Sequence, residues 1–370
     1  MKLQRIKSID IFRGLCMAWM VLNHLIDWWL SSDFTWLHNL TIMILDPIGA
    51  SGFLFISGVS ISMSYRRRQI QAKKSEEMNM RVVKYSYFFR SLFIFTIALF
   101  YNIPIAIVLS NPSYIWTWFV LLTAAVSMFI VWPLLYCTKI IRSIIGIIII
   151  IANQYLLIIL LPYQGEFSIN GILYHIFYHN IFQDPILSFF PFFLLGTVFG
   201  DILFDAYLNN KSKNKKVDLK NRLLFPSIIT GIILISIGIL TKFPEFLTRQ
   251  SFSWIIYSIG LDTFLLSVFL FFEKFIVKPL KKSYKLLFYY SYYSLTVYLS
   301  HYLLYFIFLE SLNPYNIWFF ILATFILLGL LLRLIYKKFQ SNASIKIQIS
   351  RLSLRIAFKI EERKQKKVIQ

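Results

Sequence analysis

Ten stretches of mostly apolar residues, each about twenty residues long, limit what this chain can fold into more than any other feature. They fall at residues 9–30, 42–65, 86–109, 115–136, 140–161, 186–205, 223–241, 253–273, 287–309 and 315–336. A helix rises about 1.5 Å per residue, so runs of this length cross a hydrocarbon core roughly 30 Å thick. They are rich in Ile, Leu and Phe and lack sustained polar alternation, which points to helices and away from a transmembrane barrel. Apolar residues make up 58% of the 370 and charged residues only 15%, where a soluble domain carries about 25% charged. The expected fold is all-α: a polytopic integral membrane protein of about ten transmembrane helices, placed in the plasma membrane.

The formal net charge of +21 would suggest nucleic acid in a soluble chain. Placement of the cations gives a different reading. With the N-terminus inside, 33 of the 38 Lys and Arg fall in inner segments, Lys242 and Arg249 in outer loops, and Arg13, Arg90 and Arg333 within spans. That bias predicts that both termini are cytoplasmic and withdraws nucleic acid as a partner. Asp10 and Arg13 interrupt the start of the first run and no small-residue cleavage site follows, so it reads as a retained helix. Residues 1–336 form the expected transmembrane domain and 337–370 a basic cytoplasmic tail. In that tail Ile345, Ile347, Ile349, Leu352, Leu354 and Ile356 alternate with cations. The pattern fits an amphipathic segment on an anionic membrane surface, or a solvated disordered end. Cys16 and Cys137 have neither metal nor disulfide spacing.

An ionisable side chain near mid-membrane costs several kcal/mol, so each one inside a span is a candidate for function with a partner to be named. Asp10, Arg13 and His24 share one face of the first span, since eleven residues advance within about 20° of whole turns. Asp27 follows one turn after His24, close enough to hold one imidazole nitrogen and leave the other as a base. In the ninth span Ser294, Tyr298 and His301 make a polar stripe, and His301 lies at about the depth of His24, roughly 6 Å outward of the midplane. The matched depth suggests one shared site. The second span opens at Asp46-Pro47 and carries Gly49, Gly52, Ser57, Gly58 and Ser62, a ladder suited to close helix packing. His38 lies in the preceding outer loop. On the inner side Arg13, Arg90 and Arg66 to Arg68 suit a phosphorylated ligand, although snorkelling explains Arg90 and Arg333 equally well. Asp262 sits in mid-span with no evident partner. His175 and His179 have i, i+4 spacing but no carboxylate in register, and no metal is expected. Walker, dinucleotide and haem motifs are missing from the chain.

Several of these segments match a known pattern. Residues 5–27, RIKSIDIFRGLCMAWMVLNHLID, resemble the first-helix signature of the heparan-alpha-glucosaminide N-acetyltransferase-like family of the transmembrane acyltransferase superfamily. FLFISGVSIS (53–62), PFFLLGTVFG (191–200) and SLTVYLSH (294–301) are similar to its later segments, in the same order. The resemblance implies a ten- or eleven-helix bundle that moves an acyl group, acetyl above all, from cytoplasmic acyl-CoA to a glycan or sugar amine or hydroxyl on the outer side. Its catalytic histidine would be His38, or His24 as in the related acyltransferase-3 proteins. The stretch after His38 lacks the Trp and Gly of the family pattern, which favours His24.

The roles this implies are chemically consistent. A histidine near pKa 6.5 is suited to take the acceptor's proton, or to carry the acyl group transiently. Asp27 or Asp46 would orient the imidazole. Ser294, Tyr298 or His301 would polarise the thioester carbonyl or position the acceptor, while Arg13, Arg90 and Arg66 would bind the CoA phosphates. The competing reading is a multi-pass transporter or lipid-handling protein that uses the same buried Asp, Arg and His as a proton or substrate path.

Overall fold

The computed structural model describes residues 5–73, 78–179, 183–208, 215–244, 248–276 and 284–369. Several cations counted above, among them Lys2, Lys74, Lys211, Lys213 and Lys278, lie outside the described residues. Among the described residues the regular structure is helical, with short turns between helices and one bridge between Leu30 and Leu312.

The helices are α1 (Lys7–Trp29), α2 (Thr35–Leu45), α3 (Ala50–Ala72), α4 (Met80–Val108), α5 (Val120–Leu134), α6 (Lys139–Leu160), α7 (Ile169–Phe177) and α8 (Ile186–Leu203). They continue as α9 (Lys215–Leu219), α10 (Phe225–Thr241), α11 (Phe252–Phe271), α12 (Lys285–Tyr292), α13 (Ser294–Ser300), α14 (Ile317–Phe339) and α15 (Ile345–Ile369). Seven helical segments among the described residues are long and apolar enough to cross a membrane. They coincide with seven of the ten expected spans, and the other three differ for local reasons.

The expected span 42–65 is divided at Asp46-Pro47. Proline lacks the N–H that α2 would need to continue, so α2 stops at Leu45, a turn covers 46–49, and α3 runs on to Ala72 through Arg66, Arg67 and Arg68. The expected span 115–136 shortens to the fifteen residues of α5, preceded by a tight turn at Pro112–Trp116. The buried Asn102 side chain holds the connection by donating to the Ile115 and Thr117 carbonyls at 3.0 and 2.9 Å.

The expected span 287–309 is broken into α12, α13 and a 3₁₀ turn at His301–Leu304. A helix break frees carbonyls that need donors. Here Lys346 Nζ donates to the Ser291 carbonyl at 2.7 Å, and Ser344 Oγ donates to the Tyr292 carbonyl at 3.0 Å. The break therefore places His301 at the C-terminal cap of a seven-residue helix.

Two compact units emerge: Met1–Ile56 with Asn210–Leu240 and Ile256–Gln348, and Ser57–Asn209 with Thr241–Ile255 and Ile349–Gln370. In the first, α1 packs closely on α12. A Cβ on Gly14 would fall 2.1 Å from the Leu287 carbonyl oxygen, so only glycine fits there. In the second, the small-residue ladder of α3 meets α8: a Cβ on Gly58 would fall 2.0 Å from the Phe193 oxygen, and one on Gly200 2.6 Å from the Val59 oxygen. Helix packing is what the ladder does.

The tail also takes on structure as α15. Ile349, Ser353, Ala357 and Glu361, spaced four apart, are buried, so its helical periodicity is the one the packing uses.

Candidate active site

The site in the first unit is built where α1 ends. Backbone bonds tie that end to residues 304–312: Glu310 N–H to the Trp28 carbonyl at 2.8 Å, Leu312 N–H to the Trp29 carbonyl at 2.8 Å, and Ser31 N–H to the Leu312 carbonyl at 2.8 Å. The Trp29 indole adds a bond to the Leu304 carbonyl at 2.8 Å. The last two turns of α1 are thus held in register with the turn that carries His301.

The consequence is a compact aromatic cluster. The His24 and His301 rings stand 5.0 Å apart, centroid to centroid. Trp28, one turn beyond His24, stacks on both, at 5.0 Å from His24 and 5.5 Å from His301, with 18° between planes in each case. Tyr302 closes another side, 4.9 Å from His301 and 5.1 Å from Trp28. His24 is half-buried and His301 is 4% exposed.

Hydrogen bonding fixes the state of His301. Its Nδ1 faces the Tyr298 carbonyl oxygen at 2.5 Å, and a carbonyl can only accept, so Nδ1 carries the proton. Nε2 is then the basic nitrogen. It is buried and finds no hydrogen-bond partner among the described residues. A buried acceptor left open in this way is what a substrate N–H or O–H can satisfy.

Other residues expected at the site take different places. Asp27 receives His38 Nε2 at 2.6 Å, forming an exposed pair in a cleft lined also by Ser31, Ser32, Thr35 and Glu310. Asp46 is buried in the turn between α2 and α3. Tyr298 contributes its carbonyl, with its ring 5.6 Å from that of His301. Ser294 is engaged by Lys346 Nζ at 3.3 Å, at the helix break two turns before His301, so it serves the break. Asp10 pairs with Arg5 at 2.5 Å. Arg13 is half-buried on α1, in the first unit. Asp262 is fully buried, its Oδ1 packed with Cys16 Sγ into the space that Gly52 leaves open.

Arg66 and Arg90 belong to the second unit. Arg66 Nε is 3.0 Å from Asp201 Oδ1, within a network the sequence reading missed. Arg142, counted there as a loop cation, is 1% exposed inside α6. Its guanidinium pairs with Asp201 Oδ2 and donates to Thr197 Oγ1 at 2.9 Å, while Ser62 Oγ donates to Asp201 Oδ1 at 2.6 Å. The signal was present, because Arg142 and Asp201 both interrupt apolar runs and an intramembrane charge requires a partner. Arg90 lines a second cleft with Arg68, Ser64, Tyr65 and Tyr87, and its Nε has no hydrogen-bond partner among the described residues.

His175 and His179 meet at 4.7 Å, and Tyr114 packs edge-on against His179 at 5.0 Å. Among the described residues no cluster of three potential metal ligands forms. Burial, and then the charge of His175, lower the His179 pKa to about 4; burial also lowers that of His175.

Chemically, the first unit offers two imidazoles in one dry, aromatic-walled site, one of them with its basic nitrogen open. That arrangement suits moving a proton on and off an acceptor while an electrophilic carbonyl is held beside it. No curated protein matches the chain. A family model described as an acyltransferase domain matches residues 6–336, a range that takes in His24, His301 and the Arg142–Asp201 network. The chain belongs to the acyltransferase-3 family of multi-pass membrane acyltransferases.

Proposed function

We propose that the protein takes an acyl group, most simply acetyl, from cytoplasmic acyl-CoA and delivers it to a sugar or glycan amine or hydroxyl on the outer side of the membrane. Family membership makes it an acyltransferase and displaces the carrier reading. The observation that carries the mechanism is the 5.0 Å approach of His24 to His301. In this reading His24 takes the acceptor's proton, or transiently carries the acyl group, and His301 Nε2 accepts a hydrogen bond from the acceptor. Trp28 stacks on both rings and holds them side by side. Asp27 and His38 flank the approach, Asp46 supports the turn that leads into α3, and Tyr298 holds the tautomer of His301. Within the second unit Arg66 and Arg90 provide positive charge for the donor's phosphates, with Arg66 working from its ion pair with Asp201; Arg13 is the candidate for that role in the first unit.

The motif order from Arg5 to His301 supports the heparan-alpha-glucosaminide N-acetyltransferase-like branch, and with it a sugar amine or hydroxyl as acceptor. The 33 inner cations support cytoplasmic termini and a donor site facing the cytoplasm.

The test is transfer across a sealed bilayer. Protein in vesicles loaded with labelled acetyl-CoA, with glucosamine or an oligosaccharide outside, should yield labelled outer product in proportion to the correctly oriented protein. Label that stays on CoA with every acceptor and acyl chain tried would contradict this donor and acceptor assignment.

A further inference from the structure

The second unit contains a cleft that none of the residues placed at the two histidines lines. α15 docks by its buried stripe, and Glu361 Oε1 accepts from Asn79 Nδ2 at 2.7 Å. Asn79 is itself the N-cap of α4, bonded to the Val82 N–H at 2.9 Å. Lys364 Nζ donates to the Tyr85 hydroxyl at 2.6 Å and lies 5.0 Å from the centre of that ring. Because α4 is long and apolar enough to span, its first turns mark a membrane–water boundary. α15 is anchored at that level. On its opposite face, 200° from the buried stripe, Arg351, Arg355, Lys359 and Arg363 are exposed.

Beside it is a cleft of about 330 Å³ lined by Tyr87, Phe88, Phe89, Phe129, Trp132 and Ile360, together with Lys84. Trp132 packs on Tyr87 at 4.7 Å and Phe88 on Phe129 at 5.7 Å, giving the wall an aromatic lining. From Lys84 to Ser91 the cleft follows α4 for about 10 Å into the apolar zone. Lys364 spends one of its three N–H donors on Tyr85 and has two to offer.

We infer that this cleft binds an anionic phospholipid, with the phosphate between Lys84 and Lys364 and an acyl chain along the aromatic wall. Cations at headgroup depth with an apolar trough beneath them match a molecule charged at one end and greasy at the other. A zwitterionic lipid fits the trough but gains less from the lysines. Ile360 supplies part of the wall, so the bound lipid also fastens α15 to α4.

Native mass spectrometry of the full-length protein in neutral detergent tests this, using phosphatidylglycerol, phosphatidylcholine, long-chain acyl-CoA and inorganic phosphate as separate probes. Preferential retention of phosphatidylglycerol over phosphatidylcholine, roughly tenfold or more, is expected, and K84Q/K364Q should bring that ratio close to one. Hydrogen exchange should slow at residues 355–366 on adding phosphatidylglycerol to the wild type and not to the variant. Equal retention of the two lipids, an unchanged ratio in the variant, or exchange protection by acyl-CoA or inorganic phosphate but not by phosphatidylglycerol would overturn the assignment. Both lysines are exposed, so their replacement leaves the packing intact.

Discussion

His24 and His301, 277 positions apart in the chain, stand with their rings 5.0 Å apart and share one tryptophan as a stacking partner. The pairing rests on two separate devices: the backbone bonds that lock the end of α1 to residues 310 and 312, and the change from α13 to a 3₁₀ turn at His301. The site is therefore assembled by the irregular parts of the chain, held in place by the regular ones.

The open Nε2 of His301 separates two substitutions that are usually treated alike. Asn at 301 places an amide where Nδ1 lies and keeps the bond to the Tyr298 carbonyl, but offers nothing at the Nε2 position. Gln reaches the Nε2 position and loses that bond. H301N should lower kcat by about 10 to 10², the range for losing one buried hydrogen-bond partner of the acceptor, while H301Q keeps a larger share of the rate. Steady-state kinetics of both variants decides the point; equal rates for wild type and H301N would contradict the role given to Nε2.

The Asp27–His38 pair makes the opposite case. It is exposed, with side chains 51% and 30% accessible, and such pairs contribute about 0 to 1 kcal/mol. H38A should change thermal stability by no more than a degree or two and leave most of the acyl-transfer rate. A rate loss as deep as that of a His24 variant would move the catalytic role to His38.

In the second unit Arg142 and Asp201 are nearly inaccessible and serve each other. Removing one partner strands a buried charge, so D201N or R142M should each cost about 3 to 5 kcal/mol, seen as a marked drop in the detergent melting temperature. Replacing both together, as R142M/D201L, should recover much of that loss, and R66Q alone should cost little because Arg66 is partly exposed. Additive losses in the double variant would show that the pair is not one coupled unit.

His179 gives the α7 region a pH dependence. Its folded pKa is about 4, below the ordinary value of 6.5, because burial disfavours the imidazolium. Between those values the unfolded chain binds more protons than the folded one, so stability is complete above about pH 6.5 and declines as pH falls toward 4. Melting or limited proteolysis between pH 7 and 5 should show this decline, and H179F should flatten it. An identical pH slope in that variant would place the effect elsewhere.

Much of this was legible in the sequence. Apolar run length marks seven segments capable of crossing, and the matched depth of His24 and His301 in their spans already groups the two histidines. The limits are physical. Run length cannot see that Pro47 ends α2, or that Lys346 and Ser344 supply the donors that let the ninth run break. Helical phase showed Asp27 near His24 but not which side of α1 the loop with His38 would cover. Arg142 was read as a loop cation because it lies three residues from Lys139, although its partner Asp201 stood equally deep in another apolar run.

The central claim is that the His24 side chain, in its slot with Trp28 and His301, carries the acyl-transfer chemistry. The most direct measurement is the rate of labelled acyl transfer from acyl-CoA by H24A in sealed vesicles, against wild type reconstituted in equal amount and shown by melting to be folded. Loss of transfer by about 10³ or more with CoA binding retained is the predicted result; an unchanged rate would contradict the account.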